Sequence, residues 1–299
     1  MDWKAQMDKA DALKRIKSLP IWQGGINVEP LDGGRTNLNF TVKDDSGRYV
    51  VRFGDDLPQH QTLRFNELAA ARAAHAAGLS PAVVHVEDGL TVIDYIEAKT
   101  LDEPDVADPD MLARIIPLLH RCHHEIPKHF RGPALIFWVF HVIRDYTATL
   151  RDGNSNYAAQ LDDYLAISED LEAAVGPVEI VFGHNDLMAA NFLDDGKRLW
   201  LIDWDYAGFN SPLFDLGGLA SNNSLTEDQE ATMLDLYFDG QVTDDLLHRY
   251  HAMKCASLLR ESMWSMVSEL TSKLDIDYAT YTAENLGRFQ RAYDTYKQS

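Results

Sequence analysis

The chain has 299 residues, 45% of them apolar, enough for one large domain or two modest ones with packed cores, which argues against disorder. Its net charge of −20 sets it against nucleic-acid phosphates and would concentrate small cations, although an acidic surface also simply keeps a protein soluble. No apolar run is long enough to span a membrane, and two lone cysteines, Cys122 and Cys255, give no disulfide framework, so a reducing cytoplasm is the expected compartment.

The N-terminus, MDWKAQMDKADALKRIKSL, is charged and amphipathic, which predicts a first helix rather than a signal peptide. INVEPL, NLNFTV and RYVVRF carry β-branched and aromatic residues, and DGGRTN and KDDSG supply the turns between them. Residues 61–77 are Ala- and Leu-rich at helical spacing, with Gly78 as a stop signal and Pro81 beyond it. AVVHV and LTVIDYI then predict two more strands turned by EDG. The expected fold is therefore α+β: a small antiparallel sheet with one helix over residues 1–97, then a larger, mainly helical part over 98–299. The second part is helical to about residue 174 and again from residue 227, with a short-stranded insert between.

That insert carries the chemistry. FLDDGKRLWLIDW places the turn DDGK between two apolar runs and predicts a hairpin. The loop HNDLMAAN enters the hairpin and Asp203 leaves it, so Asp186 and Asn191 are expected to face Asp203. Asn191 and Asp203 offer hard oxygen ligands suited to Mg²⁺ held jointly with substrate phosphates. Asp186 can then accept a proton from a hydroxyl attacking phosphorus, and His184 braces the loop. Protein kinases divide the labour in the same way, with an Asn five residues after the loop Asp.

HNDLMAANFL and LIDWDYAGFNSPLFDLG resemble the two signature stretches of the choline/ethanolamine kinase family, within the aminoglycoside-phosphotransferase-like kinases. LDGGRTNLNFTV, RYVVRF, NELAAARAAHAAGLSPAVV and VIDYIEAKTL resemble its nucleotide loop, phosphate-contacting strand, small-lobe helix and hinge, in that order. The resemblance implies a two-lobed protein-kinase-like fold, ATP, Mg²⁺ and transfer of a phosphoryl group to a small alcohol. It makes Asp186 the base, Asn191 and Asp203 the metal ligands, and Asp205 a secondary ligand. It places Gly33, Gly34, Thr36 and Asn37 around the phosphates, pairs Arg52 with Glu67, and turns the backbone of Asp94, Tyr95 and Ile96 toward adenine.

For the acceptor, the resemblance points to Tyr206 and Trp264 as aromatic faces for a cation. Glu261 stands where the family helix carries a second Trp, and Asn222 where the family carries an acid. These departures favour a small cationic alcohol, with a primary ammonium preferred to a trimethylated one. Ethanolamine, choline, an aminoglycoside, a sugar and a thiamine-like alcohol all stay open, as does a nucleotide-binding pseudokinase. A homodimer is compatible with this reading. HRCHHEIPKH packs four His and a Cys into ten residues without CxxC or HExxH spacing, so a zinc site is not expected there. By resemblance Asp215 is a buried acid supporting the catalytic loop, and the Gly pair after it allows close packing.

Overall fold

The structure is a computed structural model that describes residues 9–31, 37–272 and 276–298. Helix α1 (Lys9–Ser18) precedes strands β1 (Asn27–Leu31), β2 (Leu38–Lys43) and β3 (Arg48–Phe53). Helix α2 (Arg64–Ala76) then leads to β4 (Val83–Glu87) and β5 (Leu90–Asp94). The five strands form one antiparallel sheet in the order β1-β2-β3-β5-β4. The β2–β3 turn closes because the Asp44 carboxylate accepts from the N–H groups of Ser46 and Gly47, at 2.7 and 2.9 Å. One sheet face buries Phe40, Val42, Val51, Phe53 and Val92 against Ala12 and Ile16 of α1.

Helix α2 ends where the sequence predicted. Gly78 takes φ +72° and Leu79 N–H reaches back to Ala74 O at 2.8 Å, so a left-handed residue closes the last turn. This positions Leu79 to accept from Leu201 N–H at 2.9 Å, joining the sheet lobe to the catalytic hairpin.

The remaining elements are β6 (Lys99–Thr100), α3 (Glu103–Val106), α4 (Pro109–His129), α5 (Val139–Asp152) and α6 (Leu161–Val175). Then come β7 (Val181–Gly183), β8 (Phe192–Asp194), β9 (Leu199–Leu201) and β10 (Gly208–Asn210). Helices α7 (Pro212–Asn222), α8 (Glu227–Tyr237), α9 (Asp244–Thr271) and α10 (Tyr278–Tyr296) complete the larger lobe. The architecture is α+β, two-lobed and kinase-like. Helix α9 is the axis of the large lobe, packed by α5, α6, α7 and α10 and buried along most of its length. Gly217 makes the α7–α9 approach feasible, since a Cβ there would lie 3.0 Å from the Lys254 Cα. Among the described residues, no helix is long and apolar enough to cross a membrane.

Candidate active site

The predicted hairpin forms with Phe192 opposite Leu201. Its turn is fixed by Asp195, whose carboxylate accepts from the N–H groups of Lys197 and Arg198 at 2.8 Å each, while Gly196 adopts φ +82°. Ile202 N–H donates to Asn191 O at 3.0 Å, so the two chain ends meet one residue beyond the ladder. Asp186, Asn191 and Asp203 therefore line a single cleft of about 450 Å³ between the lobes.

The loop before the hairpin is held from below by Asp215 on α7. Its buried carboxylate accepts from His184 N–H at 2.8 Å and Asn185 N–H at 2.7 Å, and contacts His123 Nε2 at 2.9 Å. Burial opposes the charge on Asp215, but hydrogen bonding and charge from His123 hold its pKa below the usual carboxylate value. His123 also bonds the Tyr237 hydroxyl at 2.6 Å, and His120 stacks on the Tyr237 ring. The histidine-rich stretch is thus absorbed into the support of the loop. Among the described residues, no group of three or more His, Cys, Asp and Glu side chains could hold a metal ion.

His184 is buried and does not line the cleft. Its Nδ1 accepts from Asp186 N–H at 3.3 Å, which requires Nε2 to carry the proton it gives to Ile202 O at 3.0 Å. Burial lowers its pKa, so the ring is a neutral brace rather than a proton carrier. Asn185, not singled out in the sequence, takes φ +65° and donates to Tyr206 O at 2.9 Å. Asp203 likewise takes φ +69° at the hairpin exit. Two left-handed non-glycine residues thus turn the chain, one in the loop before the hairpin and one at its exit, a conformation that Asn and Asp tolerate best.

Asn191 donates its amide N–H to Asp186 O at 2.8 Å, an orientation that directs its carbonyl oxygen away from that backbone. Asp203 keeps 31% of its side chain exposed, with one oxygen 3.2 Å from Arg52. One amide oxygen and one carboxylate suit Mg²⁺, which takes one or two carboxylates and keeps waters and phosphates for the rest. Asp205 departs from the expectation of a secondary ligand. Its buried carboxylate is engaged by Arg52 at 3.2 Å, by Arg64 at 2.8 Å and by Asn37 Nδ2 at 3.4 Å. Against the penalty of burial, the two guanidinium groups hold its pKa down. Asn37 therefore serves the Asp205 cluster, while Gly33, Gly34 and Thr36 lie outside the described residues.

Arg52 meets Glu67 of α2 at 3.3 Å, as expected, but it also bridges Asp203 and Asp205. Burial works against its charge, and Asp203, Glu67 and Asp205 outweigh that, so it stays protonated. Arg64, missed in the sequence, completes the network by pairing with Glu67 and Asp205. At the hinge, Asp94, Tyr95 and Ile96 line the cleft. Asp94 N–H and Tyr95 N–H are committed to Ala82 O and Arg48 O, at 3.0 Å each.

At the other end of the cleft lie Tyr206, Arg260, Glu261, Trp264 and Tyr281. Trp264 donates its indole N–H to the Tyr206 hydroxyl at 2.9 Å. Tyr206 does not present a free ring face to a cation, because the Arg260 guanidinium stands over it, 4.6 Å from the centroid. Glu261 does not supply an uncompensated charge either: one oxygen accepts from Arg260 at 2.8 Å and the other from the Tyr281 hydroxyl at 2.8 Å. Asn222 falls at the end of α7 and is not among the residues lining the cleft. Its neighbour Asn223 is the residue that touches the loop, donating to Leu187 O at 2.9 Å.

Asp186 sits between these two ends. Burial, then the fields of Asp203, Glu261 and Asp205, push its pKa up from 3.8 to about 8, against the pull of Arg260. A carboxyl poised there suits general-base work near neutral pH.

A family model described as the phosphotransferase enzyme family matches residues 27–252. The chain belongs to that family. Among solved structures, it is similar to a choline/ethanolamine kinase family protein from Mesorhizobium loti. That match has a TM-score of 0.78 at 28% identity, over 96% of this chain and 94% of the other. It is also similar to choline kinase LicA from Streptococcus pneumoniae, with a TM-score of 0.75 at 25% identity over 97% and 99% of the two chains. A LicA protein has also been solved in complex with AMP. Protein LicA of Haemophilus influenzae is 27% identical over 210 residues, 69% of this chain and 61% of the LicA sequence. The chain is thus a member of the phosphotransferase enzyme family whose structure is similar to those of choline and ethanolamine kinases.

Proposed function

We propose that the protein transfers the γ-phosphoryl group of ATP, with Mg²⁺, to the hydroxyl of a small amino alcohol. The observation that carries this reading is the convergence of Asp186, Asn191 and Asp203 on one cleft that also contains the hinge backbone. The N–H of Ile96 is the hinge donor proposed for adenine, since those of Asp94 and Tyr95 are already committed. Asn191 and Asp203 would hold Mg²⁺, which when bound neutralises charge on the transferred group. Arg52, anchored by Glu67, would face the phosphates. The proton of the acceptor hydroxyl passes to a carboxylate oxygen of Asp186 as the new P–O bond forms. Most of the rate then comes from positioning and from fixed charge in a site screened from water.

Coupled ADP release, measured against amino alcohols, aminoglycosides, sugars and thiamine, tests the proposal. At least one amino alcohol should give ADP release with stoichiometric phosphorylated product. Asp186→Ala and Asp203→Ala should each lose at least about 10³-fold in kcat while remaining folded. Near-normal turnover in either purified variant, or turnover confined to aminoglycosides, would remove the reading.

A further inference from the structure

Arg260 is the least expected residue in the cleft. It comes from the middle of α9, is 4% exposed, and lines the acceptor end beside Trp264 and Tyr281. A buried guanidinium normally spends its five donors on carboxylates and carbonyls. Here one Nη1 bond to Glu261 is made, at 2.8 Å, while Nε and Nη2 make none. The neighbouring Tyr146 hydroxyl is close enough to interact with the guanidinium, yet it makes no well-formed hydrogen bond to Nε or Nη2. The other contacts of Arg260 are ring faces, Tyr206 at 4.6 Å and Phe137 at 5.4 Å. Ring faces stabilise the charge but accept no N–H, so Nε and Nη2 stay unsatisfied.

Leaving buried N–H groups without acceptors is costly unless something supplies them. Asp186 is close enough for the two charges to affect each other, yet no hydrogen bond joins them. A purely cationic acceptor would bring like charge against Arg260, and the balancing carboxylate of Glu261 already has both oxygens engaged. An acceptor carrying a carboxylate answers both problems, because a guanidinium edge and a carboxylate match in shape and charge.

We propose that the acceptor is a small alcohol bearing a carboxylate, held by the Nε and Nη2 edge of Arg260. This rests on the phosphotransferase reading and narrows its acceptor from amino alcohols in general to a hydroxyamino acid.

Matched pairs that differ only in the carboxylate test it: L-serine against ethanolamine, and L-homoserine against 3-aminopropan-1-ol. Binding is measured by isothermal titration in the presence of Mg²⁺ and a non-hydrolysable ATP analogue, and turnover by ADP release. The acid-bearing member of at least one pair should bind and react about 10- to 100-fold better, because a site built for a polar group rejects the analogue that lacks it. Arg260→Met should erase that preference, and Arg260→Lys should retain part of it. Retained melting temperature and nucleotide binding would show that both variants are folded. The wild-type preference alone decides the matter if neither variant folds. Equal or better use of the acid-free members would overturn the proposal and leave the kinase reading standing. An equal loss for all acceptors in Arg260→Met would overturn it in favour of a contact with the transferred phosphoryl group. Preferential binding of the acids without any ADP release would remove the kinase reading and, with it, the acceptor role proposed here.

Discussion

Replacing Asp186 with Asn should make the protein more stable as well as inactive, and the gain should depend on pH. In the folded chain removal from water, with the fields of Asp203, Glu261 and Asp205, pushes the half-buried carboxyl up to about 8 from an ordinary 3.8. Below pH 4 the group is protonated whether the chain is folded or not, and the fold loses nothing. As the pH rises from 4 to 8, the unfolded chain gives up the proton while the folded chain keeps it, so stability falls across that window. At ~1.36 kcal/mol per pH unit, the full loss at pH 7 is about 4 kcal/mol. Solvent reaches the half-buried side chain from the cleft and screens it, so about 2 kcal/mol is the expected size. Asn has the same shape and no charge to desolvate. Urea denaturation of the wild type and Asp186→Asn at pH 4.5, 7 and 9 should show nearly equal stability at the lowest pH. A variant advantage of about 2 kcal/mol should appear at pH 7 and grow slightly by pH 9, with m unchanged. Parallel pH profiles would refute the argument that burial and neighbouring acids raise this carboxyl. A variant less stable at pH 9 would refute it too.

The same carboxyl governs the pH dependence of turnover. kcat/KM for the acceptor should rise with pH to a midpoint between the usual carboxylate range and about 8, and Glu261→Gln should move that midpoint down by removing a charge that raises it; a midpoint that stays put or climbs would contradict the electrostatic picture. The two glycines of α7 should behave oppositely. Gly217→Ala drives a Cβ to 3.0 Å from the Lys254 backbone and should cost roughly 1–3 kcal/mol, whereas Gly218→Ala meets only Ser257 Oγ at 3.9 Å and should be neutral or stabilising by up to ~1 kcal/mol. Thermal denaturation of both variants checks this, and equal effects would mean that α7 and α9 are not held apart at van der Waals contact.

The elements legible in the sequence are those whose pattern is local. The β8–β9 hairpin announces itself through two apolar runs and an Asp-Gly turn, and α2 through its Ala-rich face and Gly78 stop. The β7–β10 pair is a different case. Its strands are three residues each and lie 25 positions apart, Gly183 opposite Gly208, too short to show a period. The positive φ of Asn185 and Asp203 is also invisible, since most Asn and Asp residues do not adopt it. Asn222 and Asn223 differ by one place at a helix end, about 100° of rotation, which is enough to set Asn223 rather than Asn222 against the loop. Arg64 and Arg260 were missed because an isolated Arg on a helix usually faces water. A usable signal existed for Arg260. CASLLRESMWSMVS has small and apolar residues on every side and no continuous polar face, so a charge within it has to be interior.

The two guanidinium sites of the cleft differ in a way that bears on what each can bind. Arg52 and Arg64 share Glu67 and Asp205, and Arg52 also pairs with Asp203, so two guanidinium groups meet three carboxylates. That cluster carries one excess negative charge, so an anion arriving there must displace a carboxylate already in place. Exchange of this kind costs little net electrostatic energy and suits phosphates that arrive with their own cation. Arg260 has a single carboxylate and two bare donors, so an anion there displaces nothing and satisfies groups that are otherwise stranded. Asp186 lies within the field of both clusters, raised by the first and lowered by Arg260. An acceptor anion placed on Arg260 would weaken that lowering and make Asp186 a stronger base. A carboxylate-bearing acceptor should therefore raise the apparent pKa of kcat, which reports the enzyme with acceptor bound, relative to its acid-free partner, and a pH profile of kcat for each member of a matched pair is enough to see it.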